Sequence, residues 1–265
     1  MAVLQLLAIT AAISAACFIG LWLIGLATRD VSFVDAWWGL GMVVLAVSSF
    51  AQTGAPTPHR LVLTVMCALW GLRLGGYLLR RWRRHGPDAR YQTLLANARS
   101  ERGWGFALSS LLLVFALQAP LQFIVALPVQ LGAAAPNAAP LGPLGWVGLA
   151  LAAFGLGFET LGDLQLAAFK AQVANAGKVM DRGLWRYTRH PNYFGEAVFW
   201  WGLYLIAAET RWGPWSLPGP LLVTFLLTRF SGVPTVEGRM RRRPQYEAYV
   251  ASTPALVPWF PKKAP

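Results

Sequence analysis

Acidic side chains are scarce in this sequence: 11 Asp and Glu stand against 23 Lys and Arg, and charged residues of both signs make up only 13% of 265 positions. Soluble domains carry about 25% charged residues, so the deficit excludes a soluble enzyme or binding module. Cysteine is almost absent as well. Cys17 and Cys67 are the only two, each within an apolar run and without ligand partners nearby. That excludes a disulfide framework and a zinc site, leaves both thiols as packing residues, and gives no reason to expect a metal. Internal repeats are missing, and the one low-complexity stretch is the uncharged linker LGAAAPNAAPLGPL at 131–144. The first apolar run, Val3 to Ala27, lacks a basic leading region and exceeds a usual signal-peptide core, so it is expected to be retained.

What the chain has in abundance is apolar length. Hydrophobic residues reach 56%, with 13 Trp and a mean hydropathy of +0.46. A membrane span needs about 20 mostly apolar residues, and seven such runs lie near 3–26, 33–52, 61–80, 104–128, 143–169, 193–210 and 214–231. In the seventh, Pro218, Gly219 and Pro220 predict a distorted or late start. The net charge of +12 is concentrated: residues 80–102 hold seven Arg, residues 170–189 five Lys or Arg, and residues 229–263 seven more. With the N-terminus outside, these three segments all fall on the cytoplasmic side, as the positive-inside rule requires. The expectation is an all-α integral membrane protein of one domain, residues 1–265. It has about seven transmembrane helices, the N-terminus outside, and a cytoplasmic tail at about 232–265. Nucleic acid is excluded as a partner, since binding it would need a soluble basic face with exposed aromatics. The tail is amphipathic, with Tyr246, Tyr249, Val250 and Trp259 among its charges. A place on the cytoplasmic face and an interfacial anchor explain those aromatics equally well.

Polar residues inside such runs are expensive, about 2.5–3.5 kcal/mol for an ionised group at a helix centre. Asp35, Arg73, Glu159, Asp163 and Glu196 all fall within or at the rim of spans. They must face a polar interior, pair with one another, or hold a ligand. Glu159 and Asp163 are spaced to share one helix face, and Lys170 continues that stripe. Arg73 and Tyr77 share a face, with Trp70 one turn earlier. The run GLGFETLG at 155–162 lacks the third glycine of a dinucleotide fingerprint and follows no strand. Its glycines are read instead as sites of close helix packing.

The richest segment is GLWRYTRHPNYFGE, residues 183–196. Pro191 suits the first position of a helix, which makes His190 its cap and Asn192 to Glu196 its first turn. Arg186, Tyr187, Arg189 and His190 gather at that entrance, where free N–H groups and the helix dipole favour an anion. Phosphate and anionic lipid headgroups both satisfy the cations. Asn192 and Glu196, on one face, add an amide and a carboxylate, and a carboxylate repels phosphate. A ligand carrying phosphates together with hydroxyl or amide groups, as a nucleotide does, fits the whole set.

That segment, with Asp163 and Lys170 upstream and RFSGVPTVEGRMRRRPQYEAYVASTPALVPWFP downstream, resembles the steroid 5-alpha-reductase C-terminal family. The WGLRLGGYLLRR and DARY segments mark a bacterial membrane branch of it, and the resemblance covers roughly residues 30–262. It implies a seven-helix fold in the bacterial inner membrane that holds NADPH from the cytoplasmic side and takes a lipophilic enone from the bilayer. By motif position it implies that Asp163, Asn192 and Glu196 hold the cofactor. Lys170 stands where Arg is usual, a change that keeps charge but loses bidentate geometry. Arg73, Arg81, Arg229, Tyr246 and Tyr249 carry over as further cofactor residues. On the substrate side Asp35 falls where a Glu is expected near the carbonyl, and Trp70 falls at the place of a Tyr. Either Asp35, if protonated, or Tyr77 is the donor that polarises the carbonyl. Two alternatives compete with an NADPH-dependent reductase. One is an S-adenosylmethionine-dependent membrane methyltransferase of the isoprenylcysteine type, which shares the Arg-His-Pro core but usually shows paired Glu where this chain has Glu237-Gly238. The other is a non-catalytic protein binding anionic lipid. Substrate identity and the choice between monomer and homo-oligomer stay open at this level.

Overall fold

The computed structural model describes residues 2–134, 139–241, 243 and 245–262. Parts of the 131–144 linker and of the 232–265 tail lie outside the described residues.

Helices form wherever the apolar runs predict them, and local chemistry sets their ends. Helix α1 (Val3–Thr28) stops at Arg29, whose φ of 55° is left-handed. Helix α2 (Val34–Ala51) follows. Helix α3 (Pro58–His85) starts with Pro58 in its first turn, and Thr57 caps it by accepting from the Arg60 N–H. Helix α4 (Ala89–Arg102) is capped by Asp88 and ends at Gly103, φ 67°. Helix α5 (Phe106–Ser110) widens into a π turn at Leu111–Phe115 before α6 (Ala116–Val125). That widening lies just ahead of Pro120, whose missing N–H interrupts the regular ladder. Then come α7 (Leu127–Ala134), α8 (Pro143–Ala171) and α9 (Pro191–Ala208). Helix α10 (Pro218–Phe225) is preceded by a 3-10 turn at Gly213–Ser216 and runs into a π turn at Leu226–Phe230. The late start expected from Pro218, Gly219 and Pro220 is what the chain adopts. Helices α11 (Val233–Met240) and α12 (Tyr246–Ser252) complete the tail.

No strand occurs among the described residues. Six segments are long and apolar enough to cross a membrane: 3–28, 34–52, 58–85, 106–125, 143–171 and 213–240. These coincide in order with six of the seven expected runs. The remaining run forms α9, an 18-residue helix outside that set whose first turns carry Asn192 and Glu196.

Contacts divide the chain into two compact units, Met1–Gly142 with Ile206–Gly219, and Pro143–Leu205 with Pro220–Pro265. In the first, α2 and α3 approach backbone to backbone. A Cβ on Gly39 would lie 2.6 Å from the Gly71 carbonyl oxygen and 2.7 Å from the Gly75 nitrogen, so only glycine permits this spacing. Met42, Leu45, Leu63, Cys67 and Trp70 are buried. Phe18, Val31, Val34, Val114 and Phe115 form a second cluster. In the second unit α8 and α9 run antiparallel along a glycine seam. A Cβ on Gly155 would meet the Gly195 oxygen at 2.5 Å, and one on Gly202 the Ala152 nitrogen at 2.5 Å. At the other end, one on Gly162 would lie 3.3 Å from the Asn192 nitrogen.

Candidate functional site

The α8–α9 seam positions the polar residues of the second unit. Helix α9 begins at Pro191, and the His190 carbonyl accepts from the Phe194 N–H at 3.0 Å, the first bond of the helix. Ahead of it the chain is pinned to α8. The Trp185 indole donates to the Gly162 carbonyl at 3.0 Å, and the Leu184 N–H donates to Gln165 Oε1 at 2.9 Å. Glu159, Asp163 and Glu196 are buried at 2%, 6% and 8% exposure on these two helices, and each is engaged by neighbouring groups. Asn192 is different. Among the described residues its Oδ1 is buried and accepts no hydrogen bond, in the first turn of α9, whose Asn192 nitrogen lies beside Gly162 of α8. Lys170, further along α8, is exposed, as are Arg186 and Arg229, while Tyr187 is 38% exposed.

Arg189 and His190, two of the cations expected to hold an anion, hold one supplied by the chain itself. Arg189 Nη2 lies 2.8 Å from Glu237 Oε1, and its Nε donates to the same oxygen at 2.9 Å. His190 Nε2 is 3.2 Å from that atom. Arg189 also donates to the carbonyls of Val250 and Thr253, and its backbone N–H donates to Pro254. Thr188 donates to Leu256 at 2.7 Å, and the Tyr249 hydroxyl to the Trp185 carbonyl. The tail is thereby fastened over residues 185–190. Burial pushes the His190 pKa down, more than the Glu237 hydrogen bond and charge raise it. Burial and the Glu237 charge push the Tyr246 hydroxyl up to about 12, and burial, then Tyr246, raise that of Tyr249. Both tyrosines stay neutral donors at physiological pH.

A second polar cluster belongs to the first unit. Asp35, at the start of α2, accepts from three groups: Arg90 Nη2 at 2.5 Å, the Tyr91 hydroxyl at 2.6 Å and Arg81 Nη2 at 3.3 Å. Arg90 also pairs with Asp88 at 3.0 Å, and Gln118 donates to the Tyr91 oxygen at 3.3 Å. Burial lowers the Arg90 pKa, but Asp35 and Asp88 outweigh it and raise the net value; burial and the Asp35 charge raise that of Tyr91. With both oxygens of Asp35 filled by donors, the carboxylate anchors α4. Trp70 is fully buried in the α2–α3 core, and Arg73 and Tyr77 are half-buried on α3.

Arg90, Tyr91, Gln118 and Glu237 escaped the reading of the sequence as site residues. The DARY segment carried the signal for two of them, since Asp88 caps α4 and aims the next turn at Asp35. Glu237 sits 47 residues beyond His190, and only the folded tail joins them.

Neither the curated proteins nor the solved structures contain a significant match to this chain. A protein family does match, over residues 21–253, a range that takes in both polar clusters. The chain belongs to that family, described as "Protein of unknown function (DUF1295)".

Proposed function

We propose that this membrane protein is an NADPH-dependent reductase of an activated carbon–carbon double bond in a lipophilic, steroid- or lipid-like substrate. The observation that carries the reading is the buried, unpaired Oδ1 of Asn192 in the first turn of α9. Leaving such an acceptor unpaired costs about 1–3 kcal/mol, which a ligand N–H entering the seam would recover. Asp163 and Glu196, on the same pair of helices, offer carboxylates to the hydroxyl and amide groups of a nucleotide, and exposed Lys170 and Arg186 offer cations to its phosphates. The residues present therefore fit NADPH, which when bound supplies a hydride. The motif resemblance assigns Arg229, Tyr246 and Tyr249 to the same cofactor, and it gives Asp35 or Tyr77 the task of polarising the substrate carbonyl. Trp70, by its burial, supports the core rather than donating a proton. Membership of a family related to steroid 5-alpha-reductase-like proteins supports this reading.

The test is a titration of the purified, full-length protein with NADPH and, separately, with S-adenosylmethionine. NADPH is expected to bind and to be oxidised in the presence of a lipophilic enone. Asn192→Ala is expected to weaken NADPH binding by roughly tenfold, the loss of one hydrogen bond, without lowering thermal stability, because it removes an unsatisfied group. Binding of S-adenosylmethionine without NADPH would overturn the reductase in favour of a methyltransferase. Binding of neither would favour a lipid-binding role.

A further inference from the structure

Residues 254–262 belong to no membrane-spanning segment, yet they present large apolar side chains to the outside. Val257, Trp259 and Phe260 are 63%, 71% and 74% exposed. These side chains do not hang on a loose end. The Trp259 N–H donates to the Tyr187 carbonyl at 2.9 Å, and the Lys262 N–H to the Ser252 carbonyl at 2.9 Å. The Phe260 ring meets Tyr187 edge-on at 6.1 Å and Trp259 at 6.3 Å. Pro254, Pro258 and Pro261 stiffen the run. An aromatic edge fixed in advance loses little conformational entropy when it meets a partner.

The depth of this edge follows from α8. The chain just ahead of Tyr187 is bonded to Gly162 through Trp185. From Pro143 to Gly162 an α-helix rises about 29 Å, close to the roughly 30 Å of a bilayer's hydrocarbon core. With Pro143 at one boundary of the hydrocarbon, Gly162, and with it Trp185, Tyr187 and the docked Trp259–Phe260 pair, lies where hydrocarbon gives way to headgroups at the other. The rest of α8, out to exposed Lys170, projects beyond it. Tryptophan and tyrosine favour that boundary. Exposed Arg186 directly precedes Tyr187, and exposed Lys262 follows the edge and lines the cavity behind it; exposed acids nearby in sequence are Asp181, 4.0 Å from Arg182, and Glu247. A cavity of about 300 Å³ behind the edge is lined by Arg189, Ser252, Thr253, Trp259, Phe260 and Lys262.

We propose that the Trp259–Phe260 edge is a fixed interfacial anchor that dips into a leaflet rich in anionic phospholipid, with Lys262 and Arg186 meeting the lipid phosphates. The occupant is the membrane in which the helices already stand, and the basic surroundings select its anionic lipids. This proposal shares Arg186 with the cofactor reading but does not rest on it, so its test is run without NADPH. Its ligand is a lipid surface, and Asn192, Asp163 and Glu196 take no part in it.

The test uses full-length protein with Cys17→Ser and Cys67→Ala and one new cysteine, Trp259→Cys or, as a second reporter, Val257→Cys. Each is labelled with an environment-sensitive fluorophore and placed in nanodiscs of phosphatidylcholine alone or mixed with phosphatidylglycerol. In the mixed discs the label is expected to shift to the blue, to resist quenching by aqueous iodide, and to be quenched by nitroxides near the headgroup rather than at the chain end. Combining Lys262→Glu with Arg186→Glu is expected to raise iodide access by roughly fivefold or more in the mixed discs. It should leave the neutral discs little changed. A label at both positions that iodide reaches as freely in discs as in denaturant would overturn the proposal. So would protection that is equal in neutral discs, or protection that rises with protein concentration, which would place a second copy there instead.

Discussion

Arg189, His190 and Glu237 show how residues can stand out in a short segment while the group they meet in the fold is missed. Arg189 and His190 at the entrance of α9 were legible because they crowd one short segment, and the expectation of a bound anion followed from simple electrostatics. The anion they hold in the structure is a carboxylate from the same chain, brought there by the fold of the tail. Sequence separation hid it, since no local pattern links position 190 to 237. This contact has a pH signature. Burial holds His190 below the ordinary histidine value of 6.5, so the folded tail binds fewer protons than the unfolded one. Its stabilising contribution is therefore complete above that value and is lost as pH falls below it, through the lower folded value. The fastened tail is expected to become more sensitive to trypsin, which cuts at exposed Arg239 and Arg241, as the medium is acidified through this window. His190→Gln, which cannot titrate, is expected to flatten the dependence. An equally steep profile in that variant would assign the effect to other groups.

At the scale of elements, the helices themselves were largely readable. Apolar length placed α1, α2, α3, α8 and α9 within a few residues, and Pro191 marks the first residue of α9 as its missing N–H predicts. Helix α4 was not foreseen. Its sequence, ARYQTLLANARSER, has no continuous apolar stripe, and much of what fixes it is the pull of Asp35 on Arg90 and Tyr91 from across the first unit. Close helix packing was foreseen for the 155–162 glycines, although sequence could not distinguish the glycines that matter. Gly155 and Gly162 face α9, while Gly157 has open space around it. That difference yields a paired prediction. On the facing helix, a Cβ at Gly195 would fall 2.5 Å from the Glu159 nitrogen and 2.7 Å from the Gly155 oxygen, both backbone atoms that cannot swing aside. Gly195→Val is expected to cost about 1–3 kcal/mol through forced separation of α8 and α9 and to abolish ligand binding at Asn192. Gly157→Ala is expected to be neutral or slightly stabilising. Thermal unfolding in detergent followed by intrinsic fluorescence, beside an NADPH titration, checks both.

For the whole molecule the decisive question is whether α9 crosses the membrane, because six crossings put both termini on one side and seven put them on opposite sides. Composition alone separates α9 from the other six segments. Packing argues that it belongs with them. Its start lies against Gly162 of α8 and its later turns against Ala152 and Gly148, so it retraces a helix long enough to span. At 18 residues it measures about 27 Å, a little short of the hydrocarbon thickness, and its polar first turn can lie at the boundary. Just beyond its end, Glu209 meets His59 at the start of α3 and the Gly142 N–H just before α8. Those two positions lie at the ends of α3 and α8 opposite to the basic segments 80–102 and 170–189. Charge points the same way. A non-crossing α9 would put the seven basic residues of 229–263 on the side opposite to those two segments, against the positive-inside rule. The expected topology is therefore seven crossings with the N-terminus outside and the tail in the cytoplasm. Fusions of a cytoplasm-active fluorescent reporter and a periplasm-active phosphatase after Arg211 and after Lys262 test it. The phosphatase is expected to be active only at 211 and the fluorescent reporter only at 262. The same reporter active at both positions would show that the chain between them does not cross, and a phosphatase active only at 262 would invert the orientation and with it the membrane face from which NADPH is reached.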